Sequence, residues 1–507
     1  MSEGAAKKEE KPGKFQAIRG TRDLLPPETA LWNRVEQTAR EIFGTFGYGE
    51  IRPPIFEPTE LFARAVGGET DIVSKEMYTF VDRSEKLELH TSIGNLGVFL
   101  QKVRQLYKSG EISQESQDQM GLELVENQSK KVNDLLAGTS KSEDASRDIY
   151  TLIMLFEALR LGNDISLRPE ATASACRAYI EHNMQQLPQP VKLYYMGPMF
   201  RRERPQKGRY RQFYQIGAEV LGGTDAPAID AEVIEMVMTF FEKLELKGVQ
   251  LSVNSIGCRE CRPKYVELLR AELLKVKDKL GPDSQRRIDT NPLRVLDSKV
   301  KEEQAIIEKL PRIGDHLCKQ CADHYAAVKR ELDLRGVKYR ENWRLVRGLD
   351  YYMRTTFEIT AQGLGSQDAV CGGGRYDGLV ELLGGPPTKG IGFAIGEDRL
   401  ILSLQESGKA PVAQGRDVYI AWMGENARGT AVRAAKALRS AGFSVELPPV
   451  EQKFGKALGQ ADKLGAKYAL ILGDNEVTSG EWTLKTLADG TQQKLTEPQL
   501  LDFLRKS

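Results

Sequence analysis

The stretch VKLYYMGPMFRRERPQKGRYRQFYQIGAE, residues 191–219, decides how the rest of the chain is arranged. In residues 201–211 it places six Lys and Arg side chains around a single carboxylate, Glu203. Strand-like runs at residues 193–200 and 212–216 flank these cations, and a proline and a glycine between them supply turn chemistry. We therefore predict a β-hairpin with an exposed basic loop. A solvated surface usually mixes its charges, so this loop indicates a site for a polyanion such as a triphosphate or a nucleic acid backbone.

Length and composition limit the class of protein. The chain has 507 residues, which predicts two to four domains. Its 72 Lys and Arg against 71 Asp and Glu leave a net charge of +1, so a nucleic acid would bind to local patches. No apolar run reaches the roughly 18 to 20 residues that span a bilayer, which predicts no membrane partner. Six cysteines in so long a chain do not make a disulfide framework, so we expect a cytoplasmic protein with reduced thiols.

The order of the sequence patterns predicts an α+β fold. Strand patterns lie before and after two stretches of helical character, residues 84–163 and 259–337. We therefore expect a largely antiparallel core interrupted by two helical insertions, and the residues of the first insertion do not indicate its role. From residue 416 to residue 507, strands alternate with helices, which predicts a separate α/β domain.

Three arginines are the candidates for nucleotide binding. The chain has no GxxxxGK[ST] loop and no GxGxxG turn that opens a helix, so the phosphates would have to be held by side chains. Arg201 ends a predicted strand, Arg347 lies in LVRGLDYY, and Arg399 lies in GIGFAIGEDRL, just after its glycine-rich strand. A single arginine of this kind is usually a surface or ion-pair residue. Three that converge could hold a triphosphate through bidentate contacts.

Two CxxC pairs stand apart from these motifs. They are Cys258 with Cys261 and Cys318 with Cys321. Four thiolates suit a structural Zn²⁺ ion. Because 56 residues separate the pairs, such a site depends on residues 259–337 folding back on themselves. A zinc site, reduced free thiols and disulfides are therefore three open alternatives.

Several stretches together resemble the histidyl-tRNA synthetases, a family of class II aminoacyl-tRNA synthetases. They are RGTRDLLP, GGETDIVSKEMYTF, SLRPEATA, MGPMFRRERPQKGRYRQFYQIGAE, LVRGLDYY, CGGGRYDGL and GIGFAIGEDRL. The resemblance implies a class II core, which is an antiparallel sheet flanked by helices, and a C-terminal α/β anticodon-binding domain. The implied boundaries are a disordered tail at 1–15, the core at 16–83, 164–258 and 338–410, insertions at 84–163 and 259–337, and the anticodon-binding domain at 416–507.

The resemblance also implies a reaction. In such enzymes L-histidine and ATP form histidyl-adenylate and pyrophosphate, and the adenylate then esterifies tRNA(His) and releases AMP. ATP is thus a substrate, and Mg²⁺ on the departing phosphates is expected. The implied catalytic residues are Arg201, Arg347 and Arg399, and the implied ATP contacts are Arg201, Glu203, Arg209 and Arg399. The alternative is a non-catalytic, synthetase-like regulatory subunit of histidine biosynthesis.

The remaining partners are assigned by the same resemblance. The residues expected to bind histidine are Glu170, Thr172, Gln215, Glu219, Arg347, Tyr351 and Tyr352. For tRNA, Gln206 and Lys207 would face the acceptor end, and the C-terminal domain offers Lys453, Lys456 and Lys463 to the phosphates. Pro54 matches a proline at the family's subunit interface, which implies a homodimer. His182 is expected to be structural.

Overall fold

The structure is a computed structural model that describes residues 14–67, 70, 72–82, 130, 163–364, 368–409 and 415–506. Most of the predicted insertion at residues 84–163, and the tail up to residue 13, lie outside the described residues. The chain divides into two compact units. One contains residues 14–23 and 35–409, and the other contains residues 24–34 and 415–506.

The larger unit is built on a sheet that, among the described residues, has eight strands in the order β1-β5-β6-β11-β10-β9-β7-β8. Only the two outer pairs, β1 with β5 and β7 with β8, are parallel, and the other neighbours are antiparallel. The strands are β1 (Gly49–Glu50), β5 (Val191–Phe200), β6 (Gln212–Leu221), β7 (Gln250–Ser255), β8 (Arg340–Glu341), β9 (Met353–Thr360), β10 (Ala369–Arg375) and β11 (Gly390–Gly396).

The predicted hairpin is present as β5 and β6. The two strands pair in antiparallel register, from Val191 opposite Leu221 to Phe200 opposite Gln212. Strand β6 is longer than predicted, since it continues beyond Ile216. Gly217, Ala218 and a carboxylate interrupt the apolar pattern there, so the sequence signal ends before the strand does. The hairpin therefore extends deep into the sheet and carries its basic loop at the other end.

Helix α1 (Glu28–Thr45) and helix α4 (Pro227–Lys243) contribute to the core of this unit. Val35, Ala39 and Phe43 of α1 are fully buried and follow one another at intervals of four residues, which places them on one face of the helix. The Phe43 ring lies 5.7 Å from that of Phe240 and 5.9 Å from that of Phe393 on β11. Aromatic packing thus links both helices to the central sheet.

A smaller sheet, with the strand order β2-β4-β3, is formed by segments that precede the hairpin in the sequence. Its strands are β2 (Phe56–Pro58), β3 (Tyr78–Asp82) and β4 (Asn163–Leu167). Helix α2 (Thr59–Val66) follows β2, and helix α3 (Thr172–Glu181) follows β4. Pro53 and Pro54 lie between β1 and β2, outside the regular strands, as expected for residues that donate no backbone N–H.

Residues 259–337, here called the helical module, contain helices α5 (Cys261–Leu274), α6 (Pro282–Thr290), α7 (Lys301–Ile307) and α8 (Lys319–Leu334). The apolar faces of α5, α6 and α7 form a core of their own, which includes Tyr265, Leu269 and Ile288. This core also takes in Tyr352 from the loop that precedes β9. The module is therefore packed against a residue predicted to bind substrate.

The C-terminal unit contains a five-stranded sheet in the order β13-β12-β14-β15-β16. Strand β12 is parallel to β13 and β14, and the last strands form an antiparallel hairpin. The elements are β12 (Val418–Trp422), α11 (Glu425–Ser440), β13 (Val445–Glu446), α12 (Phe454–Lys463), β14 (Tyr468–Leu472), α13 (Asp474–Ser479), β15 (Trp482–Thr486), β16 (Gln492–Leu495) and α14 (Glu497–Lys506).

The alternation of strands and helices predicted for residues 416–507 did not include the hairpin of β15 and β16 or the short helix α13. The turn signal for the hairpin is present in Asp489 and Gly490, whose φ is +77°. In the described part of the chain, no helix is long and apolar enough to cross a membrane.

Candidate active site

A cavity of about 360 Å³ opens over the central sheet. Its walls come from the hairpin, from the loop before β9, from β10, and from helix α10 (Glu397–Glu406), which follows β11. Ten residues predicted to bind substrates line it: Glu170, Thr172, Arg201, Glu203, Arg209, Gln215, Arg347, Tyr351, Tyr352 and Arg399. The fold thus brings together side chains that are far apart in sequence.

One side of the cavity is rich in guanidinium groups. Arg209 donates to Glu203 at 3.1 Å, and an Arg201 nitrogen lies 3.9 Å from the same carboxylate. Arg201 also donates to the carbonyl of Pro169 at 3.0 Å, which fixes its direction. Burial lowers the pKa of Arg399, and the like charge of Arg209 lowers it further. Arg201 and Arg209 thus share Glu203, and Arg399 lies close enough to Arg209 for the two charges to repel, so an anion would be stabilised on this side of the cavity.

Arg347 lies between this side and the tyrosines. Its Nη1 donates to Glu358 at 2.8 Å, and its buried Nε has no hydrogen-bond partner among the described residues. The guanidinium lies against Gly372, where an added Cβ would come within 1.9 Å of Nη2. Burial opposes the charge of Arg347, but Tyr352 and Glu358 outweigh this and raise its pKa. The glycine-rich sequence before Arg375 is therefore required for Arg347 to lie on the sheet.

The other side of the cavity is built on Glu219, which is fully buried on β6. Its carboxylate accepts hydrogen bonds from the hydroxyls of Thr172 at 2.7 Å, Tyr195 at 3.3 Å and Tyr376 at 2.5 Å. Burial raises the pKa of Glu219 to about 8, although these hydroxyls act in the opposite direction. Gly392 on β11 leaves the space for the carboxylate, since an added Cβ there would lie 1.7 Å from Oε2.

Glu219 itself stands behind the cavity wall, which is formed by Thr172 and Tyr195. Its contact with a ligand therefore stays a prediction. Glu170 is also occupied, because its oxygens accept the backbone N–H groups of Thr172 at 2.7 Å and Ala173 at 3.0 Å, at the start of α3. By contrast, Gln215 lines the cavity and its buried Oε1 has no hydrogen-bond partner in the described structure.

The sequence analysis did not identify two tyrosines, Tyr195 and Tyr376, whose hydroxyls complete the site around Glu219. Tyr376 lies in the RYDGL motif and Tyr195 in the first strand of the hairpin, so a signal existed for the segments. The two hydroxyls were not identified, because a strand tyrosine usually serves packing alone. Glu358, the carboxylate paired with Arg347, was missed because it lies within an ordinary strand pattern.

A second missed contact joins the start of the chain to the basic loop. Arg22 donates to Asp398 at 3.1 Å and covers the Tyr210 ring at 4.6 Å. The same Asp398 accepts the backbone N–H of Tyr214 at 2.9 Å. Arg22 is therefore positioned to hold the basic loop against the helix that carries Arg399. The partners are 376 residues apart, and no sequence spacing predicts such a pair.

The predicted RNA contacts lie outside the cavity. Gln206 is in the turn of the basic loop, where its backbone bonds to that of Arg209. The exposed Lys207 forms an ion pair with Glu406 at 3.1 Å. His182 is exposed at the C-terminal end of α3 and does not line the cavity.

The four cysteines of the CxxC pairs meet at the base of the helical module. Their sulfurs all lie within 4.8 Å of one another, and three separations are 3.7, 3.8 and 3.9 Å. Zn–S bonds of about 2.3 Å in a tetrahedron place sulfurs about 3.8 Å apart. The backbone N–H of Cys258 also donates to the Cys261 sulfur at 3.2 Å. The donor set and its spacing therefore fit a tetrahedral metal ion.

These four cysteines, which are Cys258, Cys261, Cys318 and Cys321, are free thiols in the structure. Burial acts to raise the pKa of Cys258, but backbone N–H groups and neighbouring thiols outweigh it and lower that pKa to about 7. His324 takes no part in the group, since its Nε2 lies 3.1 Å from the carbonyl of Asp225.

Comparison with known proteins identifies the family. The family model described as histidyl-tRNA synthetase matches residues 118–400, and an anticodon-binding domain matches residues 417–507. A histidine–tRNA ligase of Koribacter versatilis is 47% identical, over 97% of this chain and 96% of its own. The chain belongs to the histidyl-tRNA synthetase family. A second ligase, from Solibacter usitatus, is 46% identical over 96% of this chain and 98% of its own.

A solved histidyl-tRNA synthetase shares the fold. The apo enzyme of S. aureus is 32% identical, with a TM-score of 0.69, over 97% of this chain and 100% of that one. The resemblance proposed from the motifs is therefore confirmed, and so is the fold class. It combines a sheet flanked by helices with a C-terminal anticodon-binding domain that has its own sheet.

Replacing Glu219 by Gln should change how stability depends on pH. Between its ordinary value of 4.5 and about 8, the folded chain keeps a proton on Glu219 that the unfolded chain releases. The free energy of unfolding therefore falls as pH rises through this window, by up to about 5 kcal/mol in total. Glutamine releases no proton, so Glu219→Gln should gain stability relative to the parent protein as pH rises from about 5 to about 9.

Denaturant unfolding at several pH values measures this difference. A constant difference between Glu219→Gln and the parent protein across this pH range would show that the Glu219 carboxyl ionises normally in the folded protein.

Proposed function

We propose that this protein attaches L-histidine to tRNA(His) at the expense of ATP, by way of histidyl-adenylate. The observation that carries the proposal is the cavity itself. It joins a wall of guanidinium groups, suited to a triphosphate, to a pocket of tyrosines in front of a buried carboxylate. Relatives that match nearly the whole chain are histidine–tRNA ligases, which supports the same activity.

The first step needs position and charge neutralisation more than an activated nucleophile. The histidine carboxylate attacks the α-phosphorus, the bond to the bridging oxygen breaks, and pyrophosphate leaves with that oxygen. Arg201 and Arg347 are the groups for the α-phosphate, and Arg209 and Arg399 are those for the departing phosphates. Arg347 lines the cavity between the two sides, where its charge can stabilise the phosphate at which the new bond forms.

The second step uses the same cavity. The terminal ribose hydroxyl of the tRNA attacks the carbonyl carbon of the adenylate, and AMP leaves. Glu203 faces Arg209 on the nucleotide side, where it is the candidate contact for the adenine. Mg²⁺ would arrive with ATP, because the described residues of the cavity hold no group of three or more metal-binding side chains. Of the carboxylates in the cavity wall, Glu358 is our candidate to contact the Mg²⁺ ion. One of its oxygens accepts a hydrogen bond from Arg347.

The histidine pocket follows from the other wall. Glu170, Thr172 and Gln215 are proposed for the α-amino and carboxylate end of the amino acid. Tyr351 and Tyr352, with Glu219 behind the wall, are proposed to recognise the imidazole. A buried acceptor discriminates against apolar analogues, because those would leave it unpaired.

The regulatory-subunit alternative is not favoured. Such a protein has no need for the phosphate-binding arginines, yet all of them line one cavity here. The C-terminal anticodon-binding domain is also present. A likeness to a solved chain whose title names both a regulatory subunit and a synthetase rests on 16% identity and shows the fold alone.

We further propose that RNA meets the basic loop and the C-terminal unit, in the cytoplasm. Gln206 and Lys207 lie at the exposed tip of the loop, above the cavity residue Arg209. The three lysines of the C-terminal unit are exposed on or beside helix α12. Contacts of this kind are made to phosphates and weaken with salt. A KM for tRNA(His) that does not change with ionic strength would contradict them.

Histidine-dependent exchange of pyrophosphate into ATP tests the activity. The parent protein should catalyse the exchange with histidine and with no other amino acid. Arg347→Ala should slow it by roughly a hundredfold to a thousandfold, as expected for the loss of one preorganised charge contact. Arg340→Ala, on edge strand β8, is the matched control and should retain the parent rate. Exchange by Arg347→Ala near the parent rate would remove Arg347 from the mechanism.

We propose that the protein is a homodimer through the smaller sheet. Ile55, Phe56 and Phe80 expose 43%, 60% and 49% of their area on or beside β2 and β3, next to Pro54. Exposed apolar side chains clustered in this way mark an interaction surface. Light scattering should give twice the chain mass of 56.6 kDa, and Phe56→Glu should shift it to the single-chain mass. Leu464→Glu, in the C-terminal unit, is the control and should keep twice the chain mass. A parent protein of single-chain mass would refute the dimer.

We propose that the four cysteines bind one structural Zn²⁺ ion. The fit of their sulfur spacing to a tetrahedron supports this alternative over disulfides, in which two sulfurs lie about 2 Å apart. Elemental analysis of the purified protein should give one zinc per chain. Cys258→Ser should lose most of it, whereas Cys176→Ser, at a buried cysteine outside the group, should keep it. A protein without metal, or with disulfides found by mass spectrometry, would refute the site.

A further inference from the structure

The segment that carries the first CxxC pair also supports the histidine pocket. Ile256 and Gly257 connect strand β7 to Cys258, and both pair with Arg354 through their backbones. The N–H of Ile256 donates to the Arg354 carbonyl at 2.8 Å, and the N–H of Arg354 donates to the Gly257 carbonyl at 2.7 Å. The cysteine turn is thus bonded to the chain two residues after Tyr352.

Arg262 adds a direct contact. It follows Cys261 in the first turn of helix α5, so its position is set by the turn that the cysteines close. Its Nη1 donates to the backbone carbonyl of Tyr352. A charged donor on a carbonyl that is shielded from water is stronger than a neutral hydrogen bond.

The side chain of Tyr352 is held by the same module. Its ring is 6% exposed and belongs to the core formed by Tyr265, Leu269 and their neighbours. The Tyr351 ring lies 4.6 Å from it, and both tyrosines line the cavity. Backbone and ring of Tyr352 are therefore both fixed by the helical module.

Three of the four arginines proposed for the phosphates depend on other elements, whereas Arg347 lies in the same loop as Tyr352. Arg201 and Arg209 come from the hairpin, and Arg399 comes from helix α10. None of them belongs to the helical module. A disturbance at the cysteines should therefore reach the histidine pocket first.

From these contacts we propose that the four-cysteine metal site is a strut for the histidine pocket and that Arg262 is the positioning residue that connects it to Tyr352. The proposal rests on the proposed function and on the zinc site. The metal fixes the turn at Cys258 and Cys261, the turn fixes Arg262, and Arg262 holds the Tyr352 carbonyl. Metal occupancy then controls the affinity for histidine.

The first arm of the test compares two arginines of the same helix. Arg262→Ala should raise the KM for histidine in the exchange reaction roughly tenfold to a hundredfold, the cost of one hydrogen bond to a charged donor. The KM for ATP should stay within about twofold of the parent value. Arg270→Ala is the control, because Arg270 also lies on α5 and donates to a carbonyl, that of Ile288 at 3.1 Å, away from the cavity. Its KM for histidine should equal that of the parent.

A second variant, Arg262→Lys, keeps the proposal testable if Arg262→Ala folds poorly. Lysine retains one charged donor, so the KM for histidine should lie between those of the parent and the alanine variant. Calorimetric titration with histidine alone should rank the proteins in the same order. An unchanged KM for histidine, or equal changes for histidine and ATP, would overturn the positioning role.

The second arm removes the metal. Chelation of zinc from the parent protein should weaken histidine binding in the same direction as Arg262→Ala. Chelation of Arg262→Ala should add less than the product of the two separate effects, because both act through one contact. Full histidine affinity in the zinc-free parent protein would overturn the coupling. A parent protein that binds histidine as predicted but catalyses no exchange would count against the proposed function and leave the strut intact.

Discussion

The burial of one carboxylate imposes the main constraint on this site. Glu219 is removed from water on β6, and three hydroxyls from three different elements converge on it. A buried carboxyl without such partners would cost several kcal/mol. The start of α3, strand β5 and the residue that follows β10 must therefore all be in place before the pocket exists.

The two sides of the cavity obey different physical rules. The phosphate side carries excess positive charge close to solvent, where an anion relieves repulsion between guanidinium groups. The side proposed for histidine is nearly neutral. Its hydroxyl groups orient a ligand through directional hydrogen bonds and carry no charge. Arg347 joins them, since it lies beside Tyr352 and is paired with Glu358. This division explains how one cavity can take a polyanion and an amino acid with an uncharged side chain next to each other.

Much of the architecture could be predicted from the sequence, because it is encoded in local patterns. The hairpin, helix α1 and the alternation in the C-terminal unit all follow from the spacing of apolar residues and from turn residues. The cavity's arginines could be named from motifs. The pairing of Arg22 with Asp398 could not, because it depends on tertiary contacts between distant segments. The position of Glu219 behind the cavity wall likewise depends on tertiary packing, which residue spacing does not encode. The same holds for the approach of the four cysteines to one another.

Two residues without side chains set the tolerance of the site to change. Gly372 leaves room for the guanidinium of Arg347, and Gly392 leaves room for the carboxylate of Glu219. Even alanine at either position would overlap a group that is proposed to take part in binding or catalysis. Neither glycine offers a side chain to a substrate, and yet a larger residue at either position would displace Arg347 or Glu219. The shape of the pocket thus depends partly on two positions that have no side chain. A search for its determinants among polar side chains alone would overlook these glycines.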